Sequence, residues 1–125
     1  MVTSVGGTGK FRRGGEKKPL PKQRTMGAQM SFADFQQSTA RVSPPPGLSG
    51  PLQALWLDAR GQWDEAHEAA QAAGGADGAW VHAYLHRKEG DAMNAGYWYA
   101  RAGQPEATGG LAAEWEAISR ALLAR

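Results

Sequence analysis

Glycines divide the second half of this 125-residue chain into short apolar segments. Their regular placement constrains the fold more than any other feature of the sequence. Within each segment, apolar residues recur at intervals of three and four, which is the period of an α-helix. The glycines that follow the segments are Gly61, Gly74, Gly75, Gly90 and Gly103. No alternating strand pattern flanked by hairpin signals occurs, so the sequence predicts an all-α fold.

The pattern predicts a helical domain of five helices over 51–125. Pro51 suits the first turn of the first helix, and Asp77 is the predicted N-cap of the third. In chain order, the predicted helices cover about 51–60, 62–73, 78–89, 92–102 and 111–123. The last has large apolar residues on one stripe, which predicts a packing face. These residues are Leu111, Trp115, Ile118 and Leu122.

The charge is distributed unevenly along the chain. Residues 1–29 carry a net charge of +6 and residues 30–125 a net charge of −4. The first segment is rich in glycine and poor in large apolar residues, so it is predicted to be a disordered basic tail. Four of the five lysines lie in it, which is also expected if the reading frame is over-extended and the true start is Met30 or Met26.

Between the tail and the helical domain, residues 30–50 are predicted to hold a short helix and a linker. Ser31 can cap a helix that has Phe32 and Phe35 on one side. Pro44, Pro45 and Pro46 follow and exclude a continuous helix. The sequence thus predicts a small element joined to the main domain by a proline-rich segment.

Two units 29 residues apart share a pattern of a glycine turn followed by spaced small residues. They resemble tetratricopeptide-type helical hairpins. The matching positions are Gly61, Trp63 and Ala66 in the first unit and Gly90, Ala95, Tyr99 and Ala102 in the second. The resemblance implies two antiparallel hairpins, with the last helix as a cap over the last open face. The period is shorter than that family's 34 residues.

At a finer level, the span 52–125 looks like a group of small uncharacterised bacterial proteins. The resemblance is carried by the stretch from Trp80 to Asp91 and by the stretch from Tyr97 to Pro105. It implies the helical fold and leaves the activity open.

One side of the third helix is a candidate peptide-binding surface. Trp80, Tyr84, Arg87 and Lys88 are spaced so that they share that side. In tetratricopeptide-like modules the corresponding side lines a groove that takes peptides. Aromatic rings with two cations suit an acidic peptide or a C-terminal carboxylate. The sequence therefore predicts a non-catalytic module that binds a protein or an acidic peptide, self-association being one form of this.

The alternative is a small metal-binding or enzymatic protein. His82 and His86 are four residues apart, a spacing that lets two imidazoles reach one metal ion. A third ligand is expected from the neighbouring helix, where the candidates are His67, Asp64 and Glu68. No His-Glu-x-x-His arrangement accompanies the pair, and the competing interpretation is that the imidazoles pack within the core.

Other functions have less support in the sequence. The chain has no Cys, which excludes a disulfide framework or a thiolate metal site, and no cofactor motif is recognised. No apolar run is long enough to span a bilayer, and a cytoplasmic location is expected. The basic tail lacks an aromatic platform, which disfavours nucleic acid as a partner. Asp58, Asp64 and Glu65 are predicted to form a solvated face.

Overall fold

The computed structural model describes residues 30–125. The predicted disorder of the basic tail and the choice of start lie outside the described residues. Within 30–125 the prediction of an all-α fold is confirmed, with six helices and no strand. The helices are α1 (Phe32–Ser38), α2 (Gly50–Ala59), α3 (Trp63–Ala73), α4 (Gly75–Lys88), α5 (Ala92–Ala102) and α6 (Leu111–Leu123).

Polar side chains set several helix starts. Ser31 Oγ accepts a hydrogen bond from the Asp34 N–H at 3.0 Å, and Asp91 Oδ1 accepts from the Asn94 N–H at 3.2 Å. These bonds satisfy N–H groups that have no partner inside a helix. The prediction for Asp77 was wrong, because α4 already begins at Gly75 and Asp77 lies within its first turn.

Consecutive helices pack in pairs, α2 with α3 and α4 with α5, and α3 also packs on α4. Small residues allow α3 and α4 to approach closely. A Cβ atom on Gly78 would lie 2.8 Å from the carbonyl oxygen of Ala70, so only glycine fits there. This close approach places the inner faces of α3 and α4 side by side.

The last helix, α6, packs against α1, α2 and α4. Trp115 Nε1 donates a hydrogen bond to the Leu55 carbonyl at 2.9 Å, and Phe35 of α1 stacks on Trp115 with ring centroids 5.5 Å apart. The resemblance implied a cap over the last open face of the two hairpins. The apolar stripe of α6 is buried in the same hydrophobic core as Leu52 and Leu55 of α2.

A membrane-spanning helix is not found in the described part of the chain, since none of its helices is both long and apolar enough to cross a bilayer.

Candidate metal centre and the opposite side of α4

Three histidines meet between α3 and α4. His67 lies on α3, and His82 and His86 lie one turn apart on the face of α4 that packs against α3. Each offers one ring nitrogen, and these nitrogens lie within 4.8 Å of one another. His82 and His86 are buried, whereas His67 is half-buried and so leaves the group open to solvent on one side. The structure thus brings together the three residues that the sequence named as a possible metal site.

Two tryptophans hold the imidazoles of this histidine cluster in place. Trp98 of α5 stacks on His82 with ring centroids 3.9 Å apart and an interplanar angle of 15°. Trp63 stacks on His67 at 5.0 Å and 14°, and its own Nε1 donates to the Leu85 carbonyl at 3.0 Å. A ring fixed between a stacking partner and a packed helix has little rotamer freedom left to lose when it binds a ligand.

The outer nitrogen of His86 is also oriented. His86 Nδ1 lies 2.6 Å from Glu89 Oε2, on the next turn of the chain. With Nδ1 engaged by a carboxylate, Nε2 is the nitrogen left for a ligand. Metal-binding histidines in proteins are held by an outer carboxylate in this way.

Burial favours a neutral imidazole at His82, which is 3% exposed. The pKa of His82 is lowered from 6.5 to about 4. The main cause is loss of solvation, and the neighbouring His67 and His86 contribute to the same shift. A metal ligand must be the neutral form. His82 therefore needs no deprotonation step at neutral pH.

The three ring nitrogens would have to move slightly closer together to bind one transition-metal ion. Zn–N bonds of 2.0–2.1 Å in a tetrahedral site put ligand nitrogens about 3.4 Å apart. The nitrogens here lie within 4.8 Å, so closure needs about an ångström of ring movement. A second group, formed by His86, Glu89 and Asp91, lies nearby, but Asp91 already caps α5 and Glu89 already holds His86.

The candidate peptide surface has a different environment. Tyr84 is buried and its hydroxyl donates to Asp58 Oδ2 at 3.0 Å, while Lys88 Nζ donates to Asp58 Oδ1 at 2.8 Å. Burial and the Asp58 carboxylate both raise the pKa of Tyr84 far above its usual range. The prediction that Asp58 belongs to a solvated face was wrong, because Asp58 is 3% exposed and joins α2 to α4.

Arg87 and Trp80 also face their own chain. Arg87 donates to Glu114 Oε1 of α6 at 2.8 Å and to the Gly109 carbonyl. Glu114 is buried and accepts a second bond from the hydroxyl of Tyr99, whose pKa is raised by burial and by that carboxylate. Trp80 is half-buried and packs against two parts of the core. Both cations of the candidate surface are thus paired within the fold.

Part of that surface still borders an open space. A cavity of about 490 Å³ lies between α1, α2, α4 and α6, and Tyr84 and Lys88 line it. Its apolar walls are Phe32, Leu111 and Trp115. Trp80 and Arg87 lie outside its lining, so the four predicted residues do not form one continuous site.

The surroundings of the histidine cluster were missed at the level of the sequence. Glu89 could have been found, because residues three apart on a helix are neighbours. Trp98 could not, since its contact with His82 depends on how α5 packs on α4. Comparison with known proteins adds no assignment: no protein family, no curated protein and no solved structure matches the chain. The resemblance to a bacterial group and to tetratricopeptide hairpins stays a prediction.

Proposed function

We propose that this protein binds a divalent transition-metal ion through His67, His82 and His86, with Zn²⁺ as the reference ion. The observation that carries the proposal is the meeting of three imidazoles from two helices, with ring nitrogens within 4.8 Å of one another. Imidazole is a ligand shared by Zn²⁺, Cu²⁺, Ni²⁺ and Fe²⁺, so the donor set selects this class of ion over Mg²⁺ or Ca²⁺.

The contacts around the cluster support the same function. Glu89 holds Nδ1 of His86 and so fixes the tautomer that presents Nε2. The lowered pKa of His82 keeps that ring neutral at physiological pH. The half-buried position of His67 gives an ion a path from solvent.

The number of ligands determines the kind of site. Structural zinc sites use four protein ligands, whereas three leave a position for water or another molecule. The two carboxylates that lie close to His86, Glu89 and Asp91, have partners of their own. A Zn²⁺ ion held by the histidine cluster would therefore keep an exchangeable position.

Metal binding is tested by calorimetric titration of the metal-free protein with Zn²⁺ at pH 7.5. We expect one Zn²⁺ per chain. His67→Ala should weaken binding by more than the 10–100-fold that loss of an outer partner causes. Glu89→Gln should fall within that range. Glu65→Ala, an exposed change on the same helix as His67, is the matched control and should leave the affinity unchanged.

Co²⁺ provides an independent readout, because its visible spectrum reports the number of ligands. A tetrahedral spectrum that is lost in His67→Ala supports the site. Zn²⁺ binding that is equal in the wild type, His67→Ala and His82→Ala would contradict it and would leave the imidazoles as packing groups. The free energy of unfolding of each variant shows whether a lost affinity comes from a lost fold.

We also propose a second function, the binding of a peptide by its C-terminal carboxylate in the cavity beside Lys88. This keeps the interaction function that the tetratricopeptide-like pattern predicts. The observation that favours it is the cavity of about 490 Å³ with aromatic walls and an ammonium group. Two carboxylates also line it, and each has a cation as its partner, Asp58 with Lys88 and Glu116 with Arg120. The contact of Lys88 Nζ with Asp58 uses one of its three donors, and the side chain is 38% exposed.

The peptide function is tested with a short peptide that ends in leucine, offered once with a free carboxylate and once as the C-terminal amide. We expect only the free acid to bind, with a change in the fluorescence of Trp115 in the cavity wall. Lys88→Gln should abolish that difference, whereas Arg101→Gln, which removes an exposed cation of α5 outside this cavity, should not. Equal binding of acid and amide would contradict the role of Lys88.

A further inference from the structure

A second cavity lies at the turn between α3 and α4, next to the histidine cluster. Its volume is about 410 Å³, within the range that holds small organic ligands. One side is formed by Gly74, Gly75 and the first turn of α4, and the other by His82, Trp98 and Arg101. Neither the metal site nor the peptide cavity uses this space.

The lining of this cavity is electropositive. Arg101 contributes a full charge, and no acidic residue of the described chain lines the space. The first turn of α4 has no side-chain cap, so its N–H groups and the helix dipole favour a negative ligand. Asp77 belongs to the same turn, but its carboxylate is paired with Arg125 at 2.9 Å and does not line the cavity.

His82 is a second observation that points to a ligand in this cavity. It is 3% exposed, lines this cavity, and makes no hydrogen bond to any residue within 30–125. A buried imidazole N–H requires an acceptor, and leaving it without one is unfavourable. His86 has Glu89 as its partner. The equivalent partner of His82 is absent from the described chain.

We propose that this cavity binds a small organic anion through a carboxylate or phosphate group. The oxyanion accepts hydrogen bonds from the Arg101 guanidinium, from the first turn of α4 and from the N–H of His82. Arg101 is already positioned, since it lies over the Trp98 ring at 5.4 Å. The site does not need a metal. Its coupling to Zn²⁺ rests on the proposed function: His82 would bind the ion by one nitrogen and donate to the anion by the other.

The probes are inorganic phosphate and acetate, added to the metal-free full chain in EDTA and followed by amide resonances in NMR. We expect saturable shifts at Gly75 and Ala76, in the millimolar range or tighter, and a comparison of the two probes identifies the preferred head group. Arg101→Gln should weaken binding at least about tenfold, as expected for loss of one charge-assisted hydrogen bond. Arg120→Gln, an exposed cation outside this cavity, should not change it.

His82→Phe keeps a ring against Trp98 and removes the donor, so we expect it to weaken the same anion in a chain that remains folded. Shifts that do not saturate, or that match those caused by chloride at equal ionic strength, would overturn the proposal. Repeating the acetate titration with Zn²⁺ present separates the two proposals. Anion binding without Zn²⁺ binding would remove only the coupling, whereas Zn²⁺ binding without anion binding would remove the anion site alone.

Discussion

The two sides of α4 satisfy their polar groups in different ways. Toward α2 and α6, the cations of α4 meet carboxylates of the same chain, Lys88 with Asp58 and Arg87 with Glu114. Toward α3 and α5, His82 is buried without a hydrogen bond to any described residue. Groups paired inside the chain connect helices, whereas a buried nitrogen without a partner is available to a ligand. We therefore expect the first side to contribute more to the stability of the fold, and the proposed metal and anion sites lie on the second.

The largest expected loss of stability tests the side of α4 that faces α2 and α6. Asp58→Ala leaves the buried Tyr84 hydroxyl without its acceptor, which costs about 1–3 kcal/mol. It also removes the partner of Lys88, and because Lys88 is 38% exposed the loss of that pair adds at most about 1 kcal/mol. Urea unfolding measures it. Asp64→Ala, an exposed acid, is the control and should change little. Zn²⁺ affinity should survive Asp58→Ala at a temperature where the protein is folded; its loss would mean that the two sides are not separate.

The next effect is the pH dependence of stability, which tests the side of α4 that carries His82. The folded-state pKa of His82 is about 4, below the unfolded value of 6.5, so the unfolded chain binds more protons between these values. This contribution to stability is fully present above pH 6.5 and is lost as the pH falls toward 4. It amounts to about 3 kcal/mol for a shift of this size. Unfolding of metal-free protein should show it, and a similar pH slope in His82→Phe would assign the loss to other groups.

Zn²⁺ is expected to stabilise the folded chain by a similar amount. A ligand that binds only the folded state at 100 times its dissociation constant adds about 2.7 kcal/mol to the free energy of unfolding. Thermal unfolding with and without Zn²⁺ measures this gain. His67→Ala should remove it and Lys88→Gln should not. A gain that persists in His67→Ala would place the ion elsewhere.

The smallest effect is expected where a charged pair is exposed. Arg120 bonds Glu116 at 2.7 Å on the surface of α6, and exposed pairs four residues apart on a helix contribute about 0.3–0.5 kcal/mol. Urea unfolding of Glu116→Gln, which leaves the contact of Arg120 with the Phe32 ring in place, should show a loss of that size, reduced further in high salt. A loss as large as that of Asp58→Ala would show that burial does not determine how much a charged pair contributes to stability.

Local patterns predicted most of the helices and the histidine pair. The intervals of three and four and the glycine punctuation located α2, α3, α5 and α6, and the spacing of His82 and His86 put both on one face. His67 was a candidate because it lies on the preceding helix. These features depend on residues close in sequence, where the geometry of a helix is known in advance.

The partners of the cations could not be predicted. Arg87 and Glu114 are 27 residues apart, and Lys88 and Asp58 are 30 apart. The contact of Arg87 with Glu114 depends on where α6 lies, and the apolar stripe of α6 is compatible with more than one neighbouring surface. The contact of Lys88 with Asp58 depends on how α2 packs against α4. The burial of Asp58 was missed for the same reason, because an acidic residue on a helix is usually solvated.

The position of α6 also has a consequence for the order of folding. The Trp115 contact with the Leu55 carbonyl spans 60 residues, whereas the helix pairs join residues that are near in sequence. Contacts between distant residues must first overcome the entropy of closing the intervening chain. We therefore expect the pairs to form early and α6 to dock late, with Ile118→Val changing mainly the unfolding rate. During synthesis, the surface of α2 that α6 covers would then stay exposed until α6 has been made, an interval in which a chaperone could bind it.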